Sequence, residues 1–263
     1  MLELNKLYNM DCVKGMRLLD DECIDLTVTS PPYDNLRDYK GYHFDATDVI
    51  KQLYRVTKKG GVVVWVVGDA TVNGSETGNS FRQALYFKDI GFNLHDTMIY
   101  KKTSYLHQNC KRYQQEFEYM FIFSKGDIKT FNGLRDRKKY IDKRKPSQRI
   151  NDETNNRSGI QKELKIDKPR GNVWSYAIGG GHVTIDKIAY QHPAIFPEKL
   201  AADHIYSWSN EGDIVLDPFA GSGTTLKMAI EYKRNYIGFE ISEEYCELAS
   251  KRIENHKLQL KLF

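Results

Sequence analysis

Val215-Leu216-Asp217-Pro218-Phe219-Ala220-Gly221-Ser222-Gly223-Thr224-Thr225 decides the fold. An apolar run ends in an acid, a glycine turn follows, and Leu226 to Tyr232 continues at helical spacing, so the stretch reads as strand, turn and helix. Glycine lets the backbone approach a ligand closely. The turn fails the dinucleotide fingerprint, because Leu226 stands where the third glycine belongs, and it fails the phosphate loop, because no Gly-Lys-Thr follows. A second strand, Asn235 to Glu240, ends in a carboxylate about twenty residues beyond the turn, the spacing at which an acid takes a ribose diol. The turn therefore suits a ligand with an adenosine part and no phosphate.

Working outward, Ile24 to Val28 reads as another buried strand, and at its end stands Ser30-Pro31-Pro32-Tyr33. Sites in open α/β sheets lie at such strand ends. Each proline fixes φ and removes an N–H, so the carbonyls of Ser30 and Pro31 can face a ligand, with a hydroxyl and an aromatic ring beside them. That set suits a planar ring bearing an amino group. Taken alone it also reads as a rigid turn with a packed Tyr.

The two motifs together, in this order, resemble the β class of S-adenosylmethionine-dependent DNA amino-methyltransferases, and the likeness runs from about Tyr8 to Lys251. It implies an α/β doubly wound, Rossmann-like sheet carrying a basic target-recognition insertion. The implied organisation is residues 1–124 as catalytic half, 125–172 as insertion and 173–263 as cofactor half. It assigns catalysis to Ser30, Pro31, Pro32 and Tyr33. Cofactor binding falls to Asp217, Pro218, Phe219, Gly221, Ser222, Gly223, Thr224 and Glu240, with Asp11 near the adenine and Phe196 and Pro197 near the methionine end. Asp11 reads equally well as a helix N-cap, and Phe196 as part of a core helix. Double-stranded DNA is the implied substrate, and a cognate restriction endonuclease is left open as a partner, as is the choice between monomer and homodimer. Within the family Ser at the first catalytic position goes more often with cytosine N4, and adenine N6 is the alternative. RNA or protein amino-methylation, an inactive DNA-binding module and a NAD-dependent oxidoreductase are the rival readings; Leu226 opposes the last.

Charge is unevenly spread. Lys125 to Arg170 holds fifteen Lys or Arg against seven Asp or Glu, a surplus of +8, whereas the rest of the chain balances at −4. Concentrated positive charge between two halves of an enzyme-like domain points to phosphate contacts, for which Arg137, Lys138, Lys139, Arg144 and Lys145 are the candidates; a solvated insertion is the alternative. Asn151 to Gly159 reads as a mobile loop. Four cysteines, Cys12, Cys23, Cys110 and Cys246, show no paired spacing, so neither a disulfide framework nor a metal site is expected. None follows a proline, which removes the nucleophile used for ring-carbon methylation. With no apolar run of membrane length and no signal-peptide core, the expected location is cytoplasmic.

Coarser signals complete the reading. Val13 to Leu19, Val49 to Val56 and Ser80 to Ile90 show helical spacing, the second ending at Lys58-Lys59-Gly60-Gly61. Gly61 to Val67 does not alternate and so reads as a strand buried on both faces. Asp96 to Lys101 and Phe117 to Ser124 read as a strand pair. His192 is expected to open a helix that runs to Trp208, after a hinge at Gly179 to His182, and Ser242 to cap a final helix over Ser242 to Glu254.

Overall fold

The structure, a computed structural model, describes residues 2–32, 45–103, 111–138, 167–179 and 183–260. In chain order the elements are β1 (Lys6–Asn9), α1 (Cys12–Arg17), β2 (Ile24–Thr29), α2 (Ala46–Val56), β3 (Thr57–Val67), β4 (Thr71–Val72), β5 (Ser75–Glu76), α3 (Asn79–Ile90), β6 (Asn93–Lys102) and β7 (Phe117–Ser124). Then come β8 (Arg137–Lys138), β9 (Asp167–Lys168), β10 (Val173–Tyr176), a 3₁₀ turn (Lys187–Gln191), α4 (Glu198–Trp208), β11 (Ile214–Asp217), α5 (Thr224–Glu231), β12 (Asn235–Glu240) and α6 (Glu243–Leu260).

Eight strands form one sheet in the order β1-β12-β11-β2-β3-β7-β6-β10, in which β7 runs antiparallel to both its neighbours and every other pairing is parallel. The parallel half needs both faces covered, and the burial shows that it has them. Val63, Trp65 and Val67 of β3 pack with Met16 of α1, Ile50 and Leu53 of α2 and Phe87 of α3. Their neighbours Val62, Val64 and Val66 are buried too and point the other way. On that side α4 and α5 pack against each other, His204 of α4 meets the Met120 sulfur at 3.3 Å, and Thr225 of α5 donates to the Val28 carbonyl. This is the doubly wound arrangement that the strand, turn and helix reading of Val215 to Tyr232 implies.

Several boundaries differ from expectation, α6 running on to Leu260 instead of ending at Glu254, and two of the differences have a clear cause. α2 stops at Val56, and Thr57 is already extended, so Lys58-Lys59-Gly60-Gly61 does not end the helix but opens β3. Pairing with β2 sets this: Ile24 lies opposite Thr57 while Leu26 lies opposite Val62, a register jump that the left-handed Gly60, at φ +81°, absorbs. Lys58 there meets both oxygens of Asp25, at 2.8 and 2.7 Å. The helix expected from His192 begins only at Glu198, with Pro197 as its N-cap and His192 itself extended. Pro193 and Pro197 each bias the preceding residue away from helix, so helix can form only once both are passed.

Cα packing divides the chain into two compact units, Met1–Asn132 with Asn172–Phe263, and Gly133–Gly171. The second starts eight residues after the basic segment does; Lys125 belongs to the first, where its ammonium donates to the carbonyls of Tyr54 and Thr57. Within the second, β8 pairs with β9, Arg135 donates to Asp167 at 3.3 Å, and Arg170 pairs with Asp136.

Candidate functional site

The carboxyl ends of β11, β12 and β2 lie side by side, because Leu216 is in register with both Ile237 and Thr27. The residues that follow each strand therefore converge on one cavity of about 840 Å³. Asp11, Ser30, Pro31, Pro32, Phe196, Asp217, Pro218, Phe219, Gly221, Ser222, Thr224 and Glu240 all line it. Gly223 is absent from the lining: it is the left-handed residue before α5, at φ +75°. Tyr33, Lys139, Arg144 and Lys145 lie outside the described residues, as do Cys110, Gly180 to His182 and the Asn151 to Gly159 stretch. Arg137 and Lys138 form β8 in the second unit.

The glycine turn is held from two neighbouring carboxylates. Glu240 at the end of β12 accepts from the Gly221 N–H at 2.8 Å with one oxygen and from the Ser242 N–H at 2.9 Å with the other. Burial pushes its carboxyl up, and these backbone donors oppose the shift. Asp217 works differently. It is 4% exposed, and one of its oxygens accepts from the Thr29 hydroxyl at 2.7 Å and the Phe219 N–H at 3.1 Å. Burial pushes this carboxyl up to about 6, against the hydrogen bonds from Thr29 and Phe219. Asp217 thus ties the end of β2 to the glycine turn beside the cavity. Gly221 is left-handed at φ +49°, and a Cβ there would stand 3.0 Å from His192 Nε2, so both the backbone and the packed ring favour glycine.

Asp11 caps α1, accepting from the Lys14 N–H at 2.9 Å, and it also lines the cavity, so capping does not remove it from a ligand there. Cys12 beside it is buried, and burial followed by the Asp11 charge pushes its thiol up to about 12, far from a nucleophile's range. Residues that sequence reading passed over also line the cavity: Tyr100, and Lys102 paired with Glu118 at 2.7 Å. His192 and Tyr190 line it as well. Among the described residues no group of three His, Cys, Asp or Glu could hold a metal ion, and no helix is long and apolar enough to cross a membrane.

The donor set suits S-adenosylmethionine. Carboxylates at Asp11, Asp217 and Glu240 and rings at Phe196, Phe219 and Phe239 face a ligand that carries positive charge on sulfur and amine and an apolar, stackable adenine.

Comparison with known proteins agrees. Residues 24–251 match the N6/N4 DNA methylase family. The orphan methyltransferase M.BamHII of Bacillus amyloliquefaciens is 60% identical over 242 residues, covering 90% of this chain and 91% of that one. Among solved structures, the cytosine-N4-specific PvuII DNA methyltransferase superposes with a TM-score of 0.69 at 20% identity, covering 95% of this chain and 90% of that one. The M1.HpyAVI complex with S-adenosylmethionine superposes with a TM-score of 0.60 at 21% identity, covering 94% and 98%. These two share the fold. On the family match and the M.BamHII identity, the chain is an S-adenosylmethionine-dependent methyltransferase of the N6/N4 DNA methylase family.

Proposed function

We propose that this cavity methylates the N4 amine of a cytosine turned out of duplex DNA, with adenine N6 as the alternative target. The observation that carries the reading is the shared cavity: Ser30, Pro31 and Pro32 line one wall and the glycine turn with Glu240 another. An amine inside a base pair cannot reach a group held in such a cavity, so the base must leave the stack. Tyr33 stacks on it. The Ser30 hydroxyl and the Pro31 carbonyl accept the two amine hydrogens, draw the nitrogen out of conjugation and aim its lone pair into the cavity. Orientation of this kind is worth up to roughly 7 to 11 kcal/mol in well-aligned systems. When bound, S-adenosylmethionine supplies an electrophilic methyl group. The glycine turn, Glu240, Asp11 and Phe196 hold it, Asp217 fixes the turn against β2, and the proton that the amine gives up passes from its acceptors to water.

Ser30 supports cytosine, since a Ser at this position accompanies N4 methylation more often in the family. The Gly133–Gly171 unit, with Arg137, Lys138, Lys139, Arg144 and Lys145, is assigned to the DNA backbone. M.BamHII is called an orphan, which supports an enzyme acting without a cognate endonuclease, in the cytoplasm where its DNA is. Digestion of methylated DNA to nucleosides, followed by mass spectrometry, tests the reading. N4-methylcytosine is expected; N6-methyladenine alone overturns the choice of base, and 5-methylcytosine overturns the mechanism.

A further inference from the structure

Two cations with no part in that chemistry lie buried behind the glycine turn. Arg252 of α6 is 1% exposed and Lys227 of α5 is 4% exposed. Arg252 splits its guanidinium between two partners. Nη1 donates to the Ser222 carbonyl at 2.9 Å, the Thr224 hydroxyl at 2.9 Å and the Ser222 hydroxyl at 3.2 Å, all in the turn. Nε donates to Asp186 at 2.8 Å, and Nη2 to Glu198 at 2.6 Å and the Thr184 hydroxyl at 3.2 Å. Lys227 reaches the same two carboxylate oxygens, at 2.7 and 2.8 Å. Two anions and two cations thus form a neutral quartet.

The partners on the acidic side frame the chain from Thr184 to Glu198, which carries His192, Phe196 and Pro197 onto the cavity wall. One guanidinium therefore spans two walls of the cofactor cavity from behind. Burial would push the carboxyls of Asp186 and Glu198 up; hydrogen bonds from Arg252 and Lys227 to Asp186, and from Lys227 and Thr184 to Glu198, more than offset this and hold both below the usual range. Buried ion pairs add little net stability over an apolar replacement, so stability alone is a weak reason for the quartet. Geometry is a better one, because a planar fork presents its five donors at fixed angles and a lysine ammonium does not. We propose that Arg252 is a positioning residue for S-adenosylmethionine: it sets the glycine turn against the Thr184–Glu198 wall, with Lys227 balancing the charge. The inference rests on the assignment of this cavity to the cofactor.

Calorimetric titration with S-adenosylmethionine, thermal melting and single-turnover transfer at saturating cofactor test it on Arg252→Lys, Arg252→Met and the double variant Arg252→Met with Glu198→Gln, with Phe196→Ala as a probe of the wall itself. Arg252→Lys keeps the charge but not the fork, so its cofactor Kd should rise about tenfold, the scale of a lost charged hydrogen bond, while its saturating rate stays near that of the parent. The double variant, which removes one charge of each sign, should regain melting temperature over Arg252→Met and still bind cofactor weakly. If Arg252→Met does not fold, Arg252→Lys decides alone. Parental Kd in Arg252→Lys and in the double variant, with weakened binding in Phe196→Ala, overturns the inference and leaves the cavity assignment standing; parental Kd in Phe196→Ala as well overturns both.

Discussion

The glycine turn and the Ser30-Pro31-Pro32 tip face one cavity but are made rigid in opposite ways. The turn is flexible by composition and is pinned from outside: Glu240 takes the Gly221 N–H, Asp217 the Phe219 N–H, and Arg252 the Ser222 carbonyl. The tip is stiff within its own covalent structure, because two prolines fix its φ angles. A flexible loop held by a network can close around a bulky cofactor, and a stiff tip can present two acceptors at fixed spacing without support. The Thr29 hydroxyl joins them through its bond to Asp217. Damage to either wall should therefore give a different kinetic signature.

The largest effect is expected at the tip. Ser30→Ala removes one acceptor from the amine and should lower the single-turnover rate by about 10²-fold, the scale of losing one preorganised hydrogen bond in a transition state. Cofactor affinity should not change. A rate within threefold of the parent would mean that the Pro31 carbonyl acts alone.

The bond between the walls carries a pH dependence. Burial raises Asp217 from 3.8 to about 6 in the folded chain, so the folded state favours its protonated form. Its contribution to stability is complete below about pH 4 and is lost as pH rises through about 6, on the order of 2 to 3 kcal/mol. In chemical denaturation, parent and Asp217→Asn should therefore diverge across that window, with only the parent losing stability as pH rises. Parallel curves would contradict the effect of burial on this carboxyl.

The smallest effect on either wall is expected from the basic segment. Replacing Arg137, Lys138, Lys139, Arg144 and Lys145 by Gln should weaken DNA binding and flatten its salt dependence by up to roughly 4 in log–log slope, with cofactor affinity unchanged. An unaltered slope would remove the segment from the DNA interface.

Much of this was legible in sequence because each cavity motif sits directly after a strand. Ile214 to Asp217 and Tyr236 to Glu240 are runs without a charged interruption before their acidic stop, and such runs mark parallel strands. Edge strands were harder: β1 at Lys6–Asn9 and β10 at Val173–Tyr176 are short, and β10 shows only two cycles of alternation, Trp174 and Tyr176 in, Val173 and Ser175 out. The Arg252 quartet was hidden for another reason. Its members are 66 residues apart at the extremes, and only Lys227 and Arg252 interrupting the buried faces of Leu226-Lys227-Met228 and Ala249 to Ile253 betray it. Tyr100, Lys102 and Glu118 joined the cavity through strand pairing across β6 and β7, which no local pattern encodes.

The division of labour between the walls is tested most directly by titrating S-adenosylmethionine calorimetrically into Asp217→Ala and Tyr33→Ala. Loss of Asp217 releases the Phe219 N–H and the Thr29 tie, so binding should weaken, by about tenfold or more on the scale of a buried charged hydrogen bond. Tyr33 addresses only the base, so its variant should bind cofactor like the parent while transferring no methyl group. Equal loss of cofactor affinity in the two variants would contradict the account.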